Sequence, residues 1–158
     1  MFQQRHPSDE PRDPAKARRY AMDALARREY GATELVNKMA KAGFEHHVAE
    51  DTVAELTAEN LQNDERYCEA FVKSYARRGK GPLRVLNDLG DRGVAQRLID
   101  AAMQETDVDW FERACEVREQ KFGADKPTDF TEKARQMRFL QYRGFGNEHI
   151  SVACNPQG

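Results

Sequence analysis

The chain of 158 residues lacks any long apolar run. It holds no stretch of about 18 consecutive apolar residues, so the sequence predicts no helix that crosses a membrane. The first 14 residues are polar, contain scattered prolines and lack the apolar segment of a signal peptide. We therefore expect residues 1–14 to form a disordered N-terminal tail and residues 155–158 to form a short C-terminal tail.

Cysteine is also scarce, with three in the whole chain. Cys68, Cys115 and Cys154 are odd in number and far apart in sequence, which is typical of free thiols in a reducing cytosol. We therefore expect a cytoplasmic protein without a disulfide framework.

Patterns that indicate catalysis or a cofactor are missing as well. His46 and His47 are adjacent, so on a helix they diverge and do not clamp one metal ion as an i,i+4 pair does. Gly79-Lys80-Gly81 lacks the GxxxxGK[ST] spacing and the preceding strand of a phosphate loop. No nucleophile and base stand at an indicative spacing, and no carboxylate lies among apolar residues where its pKa would rise. The sequence predicts a protein that is not an enzyme and has no metal and no cofactor.

The sequence has no β-branched alternation of strand length, which favours an all-α fold. Apolar residues instead recur at three- and four-residue spacing, the pattern of one helix face. The segment YARRGKGPLRVLNDLGDRGV, residues 75–94, shows the organising unit. A helix ends in a basic turn, Pro82 starts a second helix, and Gly93 supplies a left-handed stop.

Glycine stops of this kind recur with a fixed period. Gly43, Gly93 and Gly144 stand 50 and 51 residues apart. Four residues before each stop lies an apolar residue: Met39, Leu89 and Leu140. A helical period near 50 residues predicts units that stack along one axis. We predict three tandem three-helix repeats that form an elongated, curved helical array. Their predicted bounds are 15–61, 62–106 and 107–154.

Charge is segregated along the chain, although the net charge is only −2. Residues 73–97 carry +5 and residues 133–143 carry +4. Residues 45–65 carry −7 and residues 98–120 carry −5. Blocks of alternating sign that follow a repeat indicate surfaces for charged partners, whereas solvated helix faces are the plainer alternative.

The basic blocks supply the candidate contact residues for an anionic partner. Arginine forks suit bidentate recognition of phosphate or carboxylate. The helix start at Gly81-Pro82 is predicted to add free backbone N–H groups that favour an anion. Tyr75 and Tyr142 adjoin these cations and either stack on bases or pack in the core, and we favour core packing. The predicted contact residues are Arg77, Arg78, Lys80, Arg84, Arg135, Arg138 and Arg143.

Three segments together resemble the RecX family, the bacterial regulators of the RecA recombinase. They read LARREYGATELVNKMAKAGF, NDERYCEAFVKSYARRGKGPLRVLNDLGDRG and KARQMRFLQYRGF, and the resemblance extends over residues 17–153. It implies three tandem three-helix repeats and a protein without catalytic residues or cofactors. The turn that holds Arg77, Arg78, Lys80 and Arg84 matches the family's RG-rich turn, while Arg138 and Arg143 match its late basic motif. Gly31 departs from the serine N-cap of many relatives, but glycine serves nearly as well there.

The resemblance also implies a function. RecX proteins bind the RecA–DNA filament along its groove and commonly restrain ATP hydrolysis and strand exchange, and some members contact DNA directly. We therefore expect a monomeric, non-enzymatic modulator of RecA in recombination and DNA repair that has no membrane partner. One alternative is a nucleic-acid-binding helical module that acts without RecA. Another is a helical adaptor whose charges only maintain solubility.

Overall fold

The computed structural model describes residues 10–155, which fold into nine α-helices and contain no strand. This confirms the predicted all-α fold. The helices are α1 (Pro14–Arg27), α2 (Ala32–Lys41), α3 (His46–Ala58), α4 (Asp64–Arg77), α5 (Pro82–Asp91), α6 (Gln96–Glu105), α7 (Trp110–Phe122), α8 (Phe130–Arg143) and α9 (Asn147–Cys154). Over the described range, none of them is long and apolar enough to cross a membrane.

The predicted tails fall mainly on residues 1–9 and 156–158, which lie outside the described residues. Pro14, the last residue assigned to the N-terminal tail, is already the first residue of α1. Asp13 caps this helix, because its carboxylate accepts hydrogen bonds from the N–H groups of Ala15 and Lys16 at 2.9 and 3.3 Å.

The three glycine stops are confirmed. The φ angles of Gly43, Gly93 and Gly144 are 106°, 76° and 96°, in the left-handed region that favours glycine. After the first and the last of these stops, the next N–H turns back to a carbonyl in the preceding helix. Phe44 donates to the carbonyl of Met39, and Phe145 to that of Leu140, both at 3.1 Å. The apolar residue four positions before the stop therefore accepts the closing hydrogen bond.

The chain divides into two compact units. Unit 1 comprises the described residues up to Cys68 together with Asp91–Leu98, and unit 2 comprises Glu69–Gly90 and the described residues from Ile99 onward. This division falls inside α4, α5 and α6, whereas the predicted repeat bounds fall between helices. The bounds of the three repeats stay a prediction.

In unit 1, α1, α2 and α3 surround a core in which Leu35, Met39 and Leu56 are fully buried. Gly31 precedes α2 as the N-cap, but it has no side chain to satisfy the helix. The carboxylate of Asp64 does this instead and accepts the N–H of Ala32 at 2.9 Å.

In unit 2, α7, α8 and α9 pack around a core that contains Leu140 and Ile150. Arg118 is 1% exposed inside this unit. Its guanidinium donates to the carbonyls of Ala124 and Asp125 at 3.2 and 3.3 Å and to Oε1 of Gln136 at 3.3 Å. A buried arginine thus fixes the connector between α7 and α8, because its donors satisfy carbonyls that would otherwise lose their partners.

Candidate functional site

The basic turn, defined here as residues 77–84, joins α4 to α5 in unit 2. Gly79 has a φ of 75°, so the backbone turns sharply after α4. The N–H groups of Gly79 and Lys80 donate to the carbonyls of Ala76 and Tyr75 at 3.1 and 2.9 Å. These bonds close α4.

The N-terminus of α5 is not a free anion site, which corrects the prediction made for Gly81-Pro82. The N–H of Gly81 donates to the carbonyl of Arg143 at 2.8 Å, and the N–H of Leu83 donates to the carbonyl of Gly144 at 2.9 Å. The C-terminus of α8 therefore occupies the start of α5. The local sequence predicts where α5 begins. It does not predict that carbonyls at the end of α8 accept the first N–H groups of α5.

Arg84 serves the same helix junction. Its Nε and Nη2 donate to the carbonyl of Tyr142 at 3.1 and 2.8 Å, and its Cζ lies 4.9 Å from the centre of the Tyr142 ring. A cation at a helix C-terminus satisfies free carbonyls and the helix dipole. Arg84 thus holds α8 in place, and fewer of its donors remain for a ligand.

Tyr75 and Tyr142 differ in exposure. Tyr75 is 4% exposed, and its hydroxyl donates to the Asp88 carboxylate at 2.5 Å, so core packing is correct for this residue. Arg78 and Lys80 lie over its ring at 4.8 and 4.6 Å. Tyr142 is 74% exposed, so core packing is wrong there. Its aromatic surface faces solvent because its position on α8 lies off the buried face that holds Leu140.

Arg143 lies next to the basic turn. Its Nη1 donates to the carbonyl of Arg78 at 3.2 Å, and its Cζ lies 5.2 Å from the ring centre of Phe139. The structure therefore brings Arg143 to Arg77 and Arg78, although it lies far from them in sequence. Across residues 10–155, no carboxylate lies within ion-pair distance of these three side chains.

Arg135 and Arg138 share α8 but differ in their partners. Arg135 donates to both carboxylate oxygens of Glu132, at 3.0 and 2.7 Å. These hydrogen bonds from Arg135, helped by one from Gln136, lower the pKa of Glu132 to about 2. Arg138 is exposed and has no carboxylate partner among the described residues. Arg138 is therefore the freer cation of the two.

Two further cations lie near the basic turn, and the sequence analysis missed them. Arg113 donates from Nε and Nη2 to the carbonyls of Ala76 and Arg77 at 2.6 and 3.2 Å. Lys121 lies with its Nζ 5.7 Å from the ring centre of Phe139. Arg113 belongs to the block 98–120, whose summed charge is −5, and Lys121 directly follows that block, so summing the charge over blocks hid both.

Of the described histidines, His149 takes a structural position. His149 is buried, its Nδ1 accepts the N–H of Gly146 at 3.1 Å, and its ring meets the Phe111 ring at 4.6 Å. His46 and His47 are exposed beside carboxylates of Glu50 and Glu45. No group of three or more His, Cys, Asp or Glu side chains in the described part is arranged to hold a metal ion.

The comparisons with known proteins agree with one another. Family models of the first, second and third three-helix domains of RecX match residues 17–56, 63–103 and 107–153. The regulatory protein RecX of Pseudomonas fluorescens is 42% identical over 141 residues, which cover 89% of this chain and 91% of that protein. The regulatory protein RecX of Ectopseudomonas mendocina is 41% identical over 138 residues, covering 87% and 92%.

Solved structures share the fold. The crystal structure of RecX from Lactobacillus salivarius superposes with a TM-score of 0.70 at 18% identity, covering 89% of this chain and 93% of that one. A second crystal structure, of a regulatory protein RecX, gives a TM-score of 0.67 at 19% identity, covering 89% and 70%. The three domain matches and the identity to curated relatives extend over most of the sequence, and the chain therefore belongs to the RecX family of regulatory proteins.

Proposed function

We propose that this protein is a non-enzymatic modulator of RecA. It binds the RecA–DNA filament and restrains ATP hydrolysis and strand exchange during recombination and DNA repair. It acts as a monomer in the cytoplasm and needs no metal and no cofactor. Membership of the RecX family carries this proposal, and the basic residues of unit 2 suit an anionic partner such as a nucleoprotein filament.

The contact surface that we propose is centred on the basic turn and α8. Arg77, Arg78 and Arg138 are exposed and have no carboxylate partner in the described structure, so binding a phosphate or a carboxylate breaks no ion pair. Lys80 and Arg143 add positive charge to this surface. Arg84 and Arg135 contribute less, because both already donate to groups within the chain.

A titration of the protein into a RecA ATPase assay with single-stranded DNA tests the proposal. We expect wild type to lower the rate of ATP hydrolysis. The double reversal Arg77→Glu with Arg78→Glu should abolish this effect while circular dichroism shows unchanged helicity.

Arg19 and Arg27 on α1 provide the matched control, since both are exposed cations without a carboxylate partner in the described structure. Their double reversal to glutamate changes the net charge equally and should preserve the inhibition. If wild type leaves RecA unaffected, the proposed function is wrong. If wild type inhibits RecA and the Arg77/Arg78 reversal inhibits it as well as the Arg19/Arg27 control does, the contact surface lies elsewhere.

The second candidate function is nucleic-acid binding without RecA. The exposed ring of Tyr142 favours it, because an aromatic side chain beside a cation is a stacking surface for unpaired bases. Each stacked base contributes about 1–3 kcal/mol by alanine substitution. Binding of the isolated protein to a single-stranded oligonucleotide, weakened in Tyr142→Ala, together with no effect on RecA, would select this function.

A further inference from the structure

A small pocket in unit 2 gathers cations from three helices. It has a volume of about 330 Å³ and is lined by Gly79, Val117, Gln120 and Phe139 together with five basic side chains. These are Arg77, Arg78, Arg113, Lys121 and Arg143. No carboxylate lines this cationic pocket. The chain has 27 acidic and 25 basic residues, so carboxylates are abundant in the protein as a whole. Their absence is a property of this pocket.

The five cations are not equivalent. Arg113 lines the pocket, but all three of its nitrogens already have partners. Its Nη1 pairs with Glu116 at 2.6 Å, and its Nε and Nη2 donate to carbonyls at the end of α4. The Arg143 side chain donates from Nη1 to the carbonyl of Arg78 and makes no other hydrogen bond within the described structure. Arg77 and Lys121 have no carboxylate within ion-pair distance among residues 10–155.

Helix dipoles account for part of this arrangement. The dipole of a helix stabilises a cation near the C-terminus of that helix, and Arg77, Lys121 and Arg143 each lie in the last turn of a helix. The dipoles do not account for four cations without a carboxylate around one small volume, since like charges at close range repel. An anion held between them would remove that repulsion and use the free guanidinium donors.

The size of the pocket limits the ligand. One water takes about 30 Å³ of liquid volume, so the pocket holds roughly ten waters. A phosphate group with part of an attached sugar fits this space. The ring of Phe139 already has Lys121 on it at 5.7 Å and Arg143 at 5.2 Å, so base stacking there is not expected.

We propose that the cationic pocket binds one phosphate group, with Arg77, Arg78, Lys121 and Arg143 as its contacts. The phosphate comes from a nucleic-acid backbone or from a free polyphosphate, which share the same chemistry. This inference deepens the proposed function and rests on it, because the pocket shares Arg77, Arg78 and Arg143 with the surface proposed to contact the RecA–DNA filament.

The test measures how tightly the isolated full chain binds an oligonucleotide or a polyphosphate. RecA is left out, so the result does not depend on the outcome of the ATPase assay. The key variant is Lys121→Gln, because the Lys121 side chain makes no hydrogen bond in the described structure, and we expect circular dichroism to show unchanged helicity. Arg19→Gln on α1 is the charge-matched control. In the first arm, fluorescence anisotropy with a labelled single-stranded oligothymidylate gives the affinity between 0.1 and 1 M salt. In the second arm, calorimetry gives the affinity for inorganic tripolyphosphate.

A lost phosphate contact lowers the slope of log affinity against log salt by about 0.7 for a single strand. Lys121→Gln should therefore bind the oligonucleotide about 5-fold more weakly at 0.1 M salt and converge with wild type at 1 M. Arg19→Gln should retain the wild-type slope. This result supports the pocket with the nucleic-acid backbone as the source of the phosphate.

Loss of tripolyphosphate binding in Lys121→Gln, with oligonucleotide binding unchanged, supports the pocket with a free polyphosphate as the source. If Lys121→Gln matches Arg19→Gln in both arms, the inference is overturned. Failure of the RecA assay in wild type, with the oligonucleotide result as expected, would refute the proposed function and retain the pocket.

Discussion

Replacing Gly81 by alanine tests the junction between the basic turn and the end of α8. A Cβ at Gly81 would lie 2.5 Å from the carbonyl carbon and oxygen of Gly144 and 2.6 Å from the nitrogen of Phe145. All three are backbone atoms, so no side-chain rotation relieves the overlap. The two backbones would have to separate by about 0.9 Å to reach the 3.4 Å of ordinary contact.

Such a separation acts directly on the two hydrogen bonds of the junction. They join the N–H of Gly81 to the Arg143 carbonyl at 2.8 Å and the N–H of Leu83 to the Gly144 carbonyl at 2.9 Å. Each intramolecular hydrogen bond contributes about 0.5–1.5 kcal/mol, and overpacking costs about 1–3 kcal/mol. If both hydrogen bonds are lost, we expect Gly81→Ala to lower the free energy of unfolding by about 2–6 kcal/mol.

Urea denaturation followed by circular dichroism measures this change. Gly90→Ala, inside α5, is the matched control, because no atom lies within 4 Å of a Cβ at Gly90 and its φ is not positive. There, alanine should raise the free energy of unfolding by about 0.5–1 kcal/mol through helix propensity. Equal effects of the two substitutions would refute the close approach of the α5 and α8 backbones.

Three further predictions concern single residues. Gly144→Val should destabilise the fold more than Gly123→Val in thermal melts: φ is positive at both, at 96° and 93°, but only at Gly144 does a Cβ also collide with neighbouring atoms. Equal shifts in melting temperature would contradict this. In a side-chain NMR titration Glu132 should show a pKa of about 2, and Arg135→Gln should move this pKa back toward 4.5. Because the folded pKa is lowered, any stability from this pair is present above about pH 4.5 and is lost as the pH falls toward 2. Burial raises the pKa of the Cys68 thiol to about 11, so alkylation at pH 8 followed by mass spectrometry should modify Cys68 only after unfolding, and rapid labelling of the native protein would contradict its burial.

Local sequence signals were sufficient for the helices and their ends. Gly43, Gly93 and Gly144 predicted left-handed stops, and all three have positive φ angles. Pro82 predicted the first residue of a helix, and α5 begins there. These features depend on the conformational preferences of one or two residues, so a single sequence determines them.

Features that depend on residues distant in sequence were not predictable in the same way. Glu34 has capping-box spacing from Gly31, yet in the structure its carboxylate pairs with Arg28 at 3.0 Å and Arg92 at 3.3 Å. Asp64, far along the chain, caps α2 in its place. Spacing alone identifies a residue that is able to cap a helix, but competing charges brought near by folding decide where its carboxylate binds.

The sequence by itself determined the family, the helices, the glycine stops and the presence of two basic blocks. Only the tertiary structure decided which cations remain free. It placed Arg84 on the Tyr142 carbonyl and Arg135 on Glu132, exposed Tyr142, and brought Arg113 and Lys121 to the basic turn. The physical reason is that charge and residue type are properties of one position, whereas a free donor or a pocket depends on every group that folding brings within a few ångströms.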